Sequence, residues 1–169
     1  GLRRQTFRKP HCINQEPLFI EHLEKEIKKY SESKIKDCFY ALEEEYRKRK
    51  YVVESGSMEL NIDLEPKQAI ANIDKRIAIR KNEEAKTYDN FKIKIVSPLY
   101  DFAIISQEIV NQEAKFCYFE YLGYSLLYPA FKINKDEINS DTKIYTIEEK
   151  NSGKKFVFAV RSCAFPAGI

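Results

Sequence analysis

The strongest constraint on the fold is a charged, helix-patterned block at residues 16–51, which contains no Gly and a single Pro. Side chains with apolar surface recur in it mostly in steps of three and four, at Ile20, Leu23, Ile27, Tyr30, Ile35, Cys38, Phe39, Leu42 and Tyr46. This spacing aligns them along one face of an α-helix. Such a stripe is normally buried against another helix, a sheet or a partner protein. We therefore expect five members to be largely buried: Ile20, Leu23, Ile27, Phe39 and Leu42.

The same block offers a candidate surface for a partner. Ser31-Glu32-Ser33 interrupts the stripe, so the block is either one long amphipathic helix or a helical hairpin with arms at about 15–31 and 34–51. A continuous helix would reach about 50 Å at 1.5 Å per residue, which is long for this chain. The candidate partner-binding residues are Ile20, Leu23, Ile27 and Tyr30.

The rest of the chain alternates between strand and helix patterns. Apolar and polar residues alternate at 58–65 and 91–95, as in half-buried strands, and residues 67–81 suit a short helix passing into a strand. A polar loop is expected before residue 91. Ser97-Pro98 is a typical helix start, and the apolar pattern predicts a packed helix at 98–122. Strands are predicted at 125–133, 143–149 and 155–162.

This order of elements predicts an α+β fold with a mainly antiparallel sheet, an N-terminal long helix or helical hairpin and a central packed helix. The expected organisation is a basic tail at 1–14, a helical arm at 15–54 and an α+β core at 55–169, within one domain overall. A chain of 169 residues with 43% hydrophobic and 33% charged residues is globular rather than disordered.

Basic residues are clustered at two places although the net charge is only +3. The tail carries Arg3, Arg4, Arg8 and Lys9 without an acid, and the end of the helical block carries Arg47, Lys48, Arg49 and Lys50. Tyr46 and Tyr51 flank the second cluster and could stack on bases. One alternative is therefore a nucleic-acid-binding domain, with weak and salt-sensitive binding because the net charge is small.

Catalytic motifs are scarce. The chain has two histidines and lacks both glycine-rich phosphate-binding motifs. Two acid-x-Lys triplets, Glu65-Pro66-Lys67 after Asp63 and Glu148-Glu149-Lys150 after Asp141, resemble the arrangement in which carboxylates hold Mg²⁺ and a lysine orients water. A metal-dependent nuclease is the less favoured alternative. Sheet alternation instead predicts that Glu65 and Glu148 lie at solvent-facing strand ends and bind no metal.

The four cysteines include no C-x-x-C pair, and their even number permits two disulfides in three connectivities. Cys38 and Cys117 fall on apolar stripes, which favours reduced thiols. No apolar run reaches the 18 or so residues of a membrane span, and the longest nearly uncharged stretch is Tyr121–Phe131. Because the chain begins at Gly1, we expect a processed product or an excised piece, and an upstream anchor is compatible with the sequence.

A long patterned helix together with few catalytic groups favours a non-catalytic protein–protein interaction or assembly module. The expected partner is another protein or a second copy of the chain. No enzyme activity and no cofactor are expected.

Overall fold

The structure is a computed structural model that describes residues 18–139 and 142–161. These residues form two compact units, an N-terminal unit at 18–101 and a C-terminal unit at 102–161. The predicted α+β class is confirmed, with an N-terminal helix, antiparallel sheets and a central helix. The predicted tail at 1–14 lies outside the described residues.

The N-terminal unit begins with one continuous helix, α1, at Phe19–Lys48. The helical-hairpin alternative is wrong, because the helix runs through the Ser31–Ser33 interruption. Lys36 bonds Glu32 at 2.8 Å across this place, an i,i+4 ion pair that supports the helix locally. Arg47 and Lys48 in the last turn favourably face the negative end of the helix dipole.

Four antiparallel strands complete this unit: β1 at Val52–Glu65, β2 at Gln68–Lys81, β3 at Glu84–Tyr88 and β4 at Phe91–Val96. β2 is central. It pairs along one side with β1 and along the other with β4 and then β3.

Two local predictions in this region are wrong. The short helix expected in the first part of 67–81 is wrong, because residues 68–81 are strand throughout, with alternate residues from Ile73 to Ile79 buried on one face. The strand expected in the second part is confirmed. The polar loop expected before residue 91 contains β3, whose five residues are all exposed. In addition, β1 begins at Val52, so the segment Ser55-Gly56-Ser57 is a bulge within a strand rather than the end of a helix.

The helix α1 is less buried than predicted. It packs against the sheet through a ring contact of 5.3 Å between Phe39 and Phe91, and through Glu24, which accepts a hydrogen bond from the Leu64 N–H at 2.8 Å. Ile20, Leu23, Ile27 and Phe39 are only half-buried. The prediction is wrong for Leu42, which is 41% exposed, because the neighbouring Glu43 takes the inward position.

The C-terminal unit packs helices against a three-stranded antiparallel sheet. Its elements are α2 at Leu99–Phe116, which begins in the last residues of the N-terminal unit, α3 at Tyr121–Leu127, β5 at Phe131–Asn139, β6 at Thr142–Glu149 and β7 at Lys155–Arg161. β6 is central. The core consists of Phe102, Ile105, Ile109, Phe119, Ile133, Tyr145, Ile147 and Val160.

The helix predicted at 98–122 is shorter than expected. Cys117 has a positive φ of 57°, which ends α2, and Glu120 then caps α3 by accepting a hydrogen bond from the Gly123 N–H at 3.3 Å. Gly123 is therefore inside α3. The strand predicted at 125–133 begins only at Phe131, whereas the two strands that follow are confirmed. Among the described residues, no helix has the length and apolar character needed to cross a membrane.

Candidate functional site

The residues proposed from the sequence to bind a partner lie in the first turns of α1. Ile20, Leu23 and Ile27 are half-buried, whereas Tyr30 is 71% exposed. The Lys34 ammonium lies 3.6 Å from the centre of the Tyr30 ring. Their role in partner binding stays a prediction.

The basic cluster at the end of α1 is partly neutralised within the helix. Arg47 bonds Glu44 at 2.7 Å and Glu43 at 3.2 Å, and Arg49 bonds Glu45. Lys48 and Lys50 have no carboxylate within 4 Å in the part of the chain that the structure describes. Two of the four cations are thus left for an anion. The other predicted nucleic-acid residues, Arg3, Arg4, Arg8 and Lys9, lie outside the described residues.

Beside this cluster lies a groove of about 700 Å³, which we call the tyrosine groove. The end of α1, the start of β1 and the β2–β3 hairpin form it. Its lining consists of Tyr46, Tyr51, Ile79, Lys81, Asn82, Glu83, Glu84, Lys86 and Tyr88. The Tyr46 and Tyr51 rings meet edge to face with centroids 5.5 Å apart, and the Lys81 ammonium lies 4.7 Å from the Tyr51 ring centre. Sequence reasoning found Tyr46 and Tyr51 but missed the hairpin residues, because it read them as a loop.

Another distinctive surface is an apolar face at 116–128 in the C-terminal unit. Its large exposed side chains are Phe116, Tyr118, Leu122, Leu126, Leu127 and Tyr128. Leu126 is 83% exposed and Leu127 is 78% exposed. The sequence signal for this face was the uncharged stretch at Tyr121–Phe131.

The short helix that carries this face is anchored on its other side. Tyr121 and Tyr124 pack against the core, and the Tyr124 ring lies 5.4 Å from that of buried Phe119. The Ser125 hydroxyl donates to the Tyr121 carbonyl oxygen at 2.8 Å. Because the inner side is fixed, the leucines on the outer side are held toward solvent.

The C-terminal unit also contains a buried polar cluster that sequence reasoning missed. The Lys143 Nζ lies 2.7 and 3.0 Å from the two Glu113 carboxylate oxygens and 2.8 Å from the Cys117 carbonyl oxygen. The Tyr145 hydroxyl also donates to Glu113. Burial, followed by this hydrogen bond, raises the pKa of Tyr145 far above its usual range. Each charged group is fully engaged with the others, so the cluster fits a structural role.

A smaller polar cluster joins α1 to the sheet of the N-terminal unit. Glu43 accepts a hydrogen bond from the Ser55 hydroxyl at 2.6 Å and lies 3.2 Å from the Lys75 ammonium. Burial acts to raise the pKa of Glu43, but the hydrogen bonds from Ser55 and Lys75 and the charges of Lys75 and Arg47 together lower it below its usual value.

The acid-x-Lys triplets lie in different units, each at a hairpin turn. Asp63 accepts from the Asn72 amide at 2.7 Å and Glu65 from the Gln68 amide at 2.6 Å. Glu148 pairs with Lys155 at 3.3 Å. Asp141 lies outside the described residues. Within 18–139 and 142–161, no three His, Cys, Asp or Glu side chains are grouped to hold a metal ion.

The cysteines differ from the prediction. Cys38 is a free thiol, as expected, but it is exposed on α1 rather than buried. Cys117 is disulfide-bonded, so the expectation of a reduced thiol is wrong there.

Comparison of the chain with protein-family models, with curated proteins and with solved structures gives no match.

Proposed function

We propose that this chain is a non-catalytic interaction module, which assembles with another protein or with a second copy of itself through the apolar face at 116–128. The observation that carries the proposal is the exposure of Leu126 and Leu127 in the last turn of α3, with Leu122 one turn earlier and Tyr128 at the helix end also exposed. Several large apolar side chains exposed on one short helix are typical of a contact with a partner.

The composition and setting of the face agree with this function. Tyrosine and phenylalanine are enriched at protein interfaces, whose apolar centres have polar rims. Here the rim includes Lys135, whose ammonium lies 5.6 Å from the Tyr118 ring centre, and Glu120, which accepts from the Tyr118 hydroxyl. Since α3 is anchored from within, its leucines are already placed for binding, which lowers the entropy lost on association.

Self-association is tested by sedimentation velocity over a wide range of protein concentration. We expect the wild-type chain to form a larger species and the double variant Leu126→Ser/Leu127→Ser to remain monomeric. The matched control is Ile138→Ser/Val157→Ser, which removes two other exposed apolar side chains from the same unit. This control is expected to associate like the wild type.

Association with a different protein is tested by a photo-reactive amino acid placed at position 127. We expect one cross-linked polypeptide in the cells that make this protein, and none when the group is at position 157. A wild-type chain that is monomeric at every concentration and forms no cross-link would exclude the proposal. Flotation of the chain with lipid vesicles, abolished by Leu126→Ser/Leu127→Ser, would instead identify the face as a membrane contact.

A further inference from the structure

The tyrosine groove is independent of the apolar face and has its own chemistry. Two of its rings are positioned by the end of α1. Lys50 has a positive φ of 64°, and this turn lets the Lys50 N–H bond the Arg47 carbonyl and the Tyr51 N–H bond the Tyr46 carbonyl. This is a Schellman motif, and the ring contact between Tyr46 and Tyr51 is the apolar contact that accompanies it.

The third ring, that of Tyr88, takes no part in the helix cap. Tyr88 is 45% exposed at the end of β3, and among the described residues it has no ring contact within stacking distance. The groove therefore presents one open tyrosine beside two that are held in place. At about 700 Å³, it is as large as typical small-molecule sites.

The charged groups of the lining are equal in number and opposite in sign, and Lys81 also lies over the Tyr51 ring. Lys81 and Lys86 supply two ammonium groups, and Glu83 and Glu84 supply two carboxylates. In the described part of the chain none of the four forms an ion pair within 4 Å, even though Lys81 and Glu84 are opposite in the hairpin register. The groove thus offers hydrogen-bond donors and acceptors side by side, with no net charge.

We propose that the tyrosine groove binds a carbohydrate chain. A sugar ring presents an apolar C–H face, which stacks on an aromatic ring, and hydroxyl groups that both donate and accept. The tyrosine rings supply an apolar surface for stacking. The lysine ammonium groups donate hydrogen bonds to the sugar hydroxyls, and the carboxylates accept hydrogen bonds from them. Asn82 in the hairpin turn adds an amide that can donate and accept.

A nucleic acid fits this lining less well. A polyphosphate chain is held by a surplus of cations, and its affinity grows with the number of phosphates neutralised. The two carboxylates of the groove cancel its two ammonium groups. Within the neighbouring cluster at 47–50, Arg47 and Arg49 are engaged by glutamates, which leaves Lys48 and Lys50 of that cluster for a phosphate.

The experiment titrates the whole chain with hexasaccharides of defined chemistry: cellohexaose, maltohexaose, chitohexaose and a galacturonic acid hexamer, with oligodeoxythymidine for comparison. Binding is measured by calorimetry and mapped by amide chemical shifts. We expect at least one sugar to bind and to shift residues 79–88. Tyr88→Ala should weaken that binding by about tenfold or more, without unfolding the chain, because Tyr88 is not part of the helix cap.

The matched control is Tyr30→Ala. Tyr30, like Tyr88, is an exposed tyrosine, but it lies outside the groove. Its variant should bind sugar like the wild type. The proposal is overturned if no sugar binds, if Tyr88→Ala binds as tightly as Tyr30→Ala, or if oligodeoxythymidine binds more tightly than every sugar and is lost with Tyr88→Ala.

Discussion

At the scale of single residues, the most constrained group is Glu113, whose side chain is completely buried. A buried carboxylate is tolerated only when other groups replace its water. Lys143 and Tyr145 do this from the neighbouring strand, and Lys143 also binds the Cys117 carbonyl at the end of α2. The cluster therefore joins the helix end to the middle of the sheet.

We expect Lys143→Met to destabilise the chain by about 3–5 kcal/mol, because it leaves the Glu113 charge buried without a counter-ion. Tyr145→Phe should cost about 1–3 kcal/mol, since it removes only one hydrogen bond. Urea unfolding gives both values. The control is Glu113→Leu/Lys143→Met, which removes both charges and should lose much less stability than Lys143→Met alone. A loss for the double variant equal to the sum of the losses for Lys143→Met and Glu113→Leu alone would show that the charges are not coupled.

The ionised Glu43 carboxylate makes part of the free energy of unfolding depend on pH in the acid range. Its folded-state pKa is below the usual value of 4.5, so the unfolded chain takes up the proton first as the pH falls. The stabilisation is therefore complete above about pH 5.5 and is lost as the pH falls through the folded-state value. Unfolding free energies of the wild type and Glu43→Gln, measured from neutral to acid pH, should converge below pH 4.5. A constant difference would contradict this assignment.

At the scale of elements, the end of α1 contains a residue in an unfavourable conformation. Lys50 adopts the left-handed region, which costs a residue with a side chain about 1 kcal/mol relative to glycine. Lys50→Gly should therefore raise the free energy of unfolding by up to about 1 kcal/mol. Lys48→Gly, two residues earlier inside the helix, should lower it by a similar amount. Thermal unfolding separates the two, and destabilisation by both would contradict the cap.

Apolar side chains of the sheet in the N-terminal unit are more deeply buried than those of α1. Leu60 in β1 is completely buried, whereas Leu42 in α1 is 41% exposed. Leu60→Ala should cost about 2–5 kcal/mol, and Leu42→Ala less than about 1 kcal/mol. Denaturant unfolding of the two variants tests this. A large loss for Leu42→Ala would show that α1 packs more tightly than the structure indicates.

The sequence predicted elements best where periodicity had a single interpretation. The block at 16–51 and the strands near 143–149 and 155–162 have one clear period each, and the structure has a helix at 19–48 and strands at 142–149 and 155–161. The helix predicted in the first part of 67–81 was wrong because Ile70, Ile73 and Ile77 also suit a helix, and only pairing with β1 and β4 decides between helix and strand. β3 failed because an exposed edge strand has no apolar alternation to detect.

The tyrosine groove and the Glu113 cluster were predictable only in part, because each needs contacts between distant segments. Tyr46 and Tyr51 were recognised beside a basic cluster, but Tyr88 joins them through the β2–β3 hairpin. Glu113 was a polar residue at a core-facing helix position, one turn after Ile109. Its partner Lys143 is thirty residues away and gave no local signal.

At the scale of the whole molecule, the two described cysteines differ in oxidation state. Cys117 is disulfide-bonded, and disulfides persist mainly in oxidising environments such as the cell exterior. Cys38 is an exposed free thiol on α1. The two therefore respond differently to a thiol reagent, and each serves as the control for the other.

We expect iodoacetamide to modify Cys38 without a reductant and Cys117 only after treatment with dithiothreitol. The reaction is carried out in urea, so that burial does not protect either thiol, and peptide mass spectrometry assigns the modified residue. Only a free thiolate reacts, which makes modification a direct test of the bond. Modification of Cys117 before reduction would show a reduced thiol. That result would remove the argument for an oxidising compartment, while the apolar face and the tyrosine groove would remain as separate hypotheses.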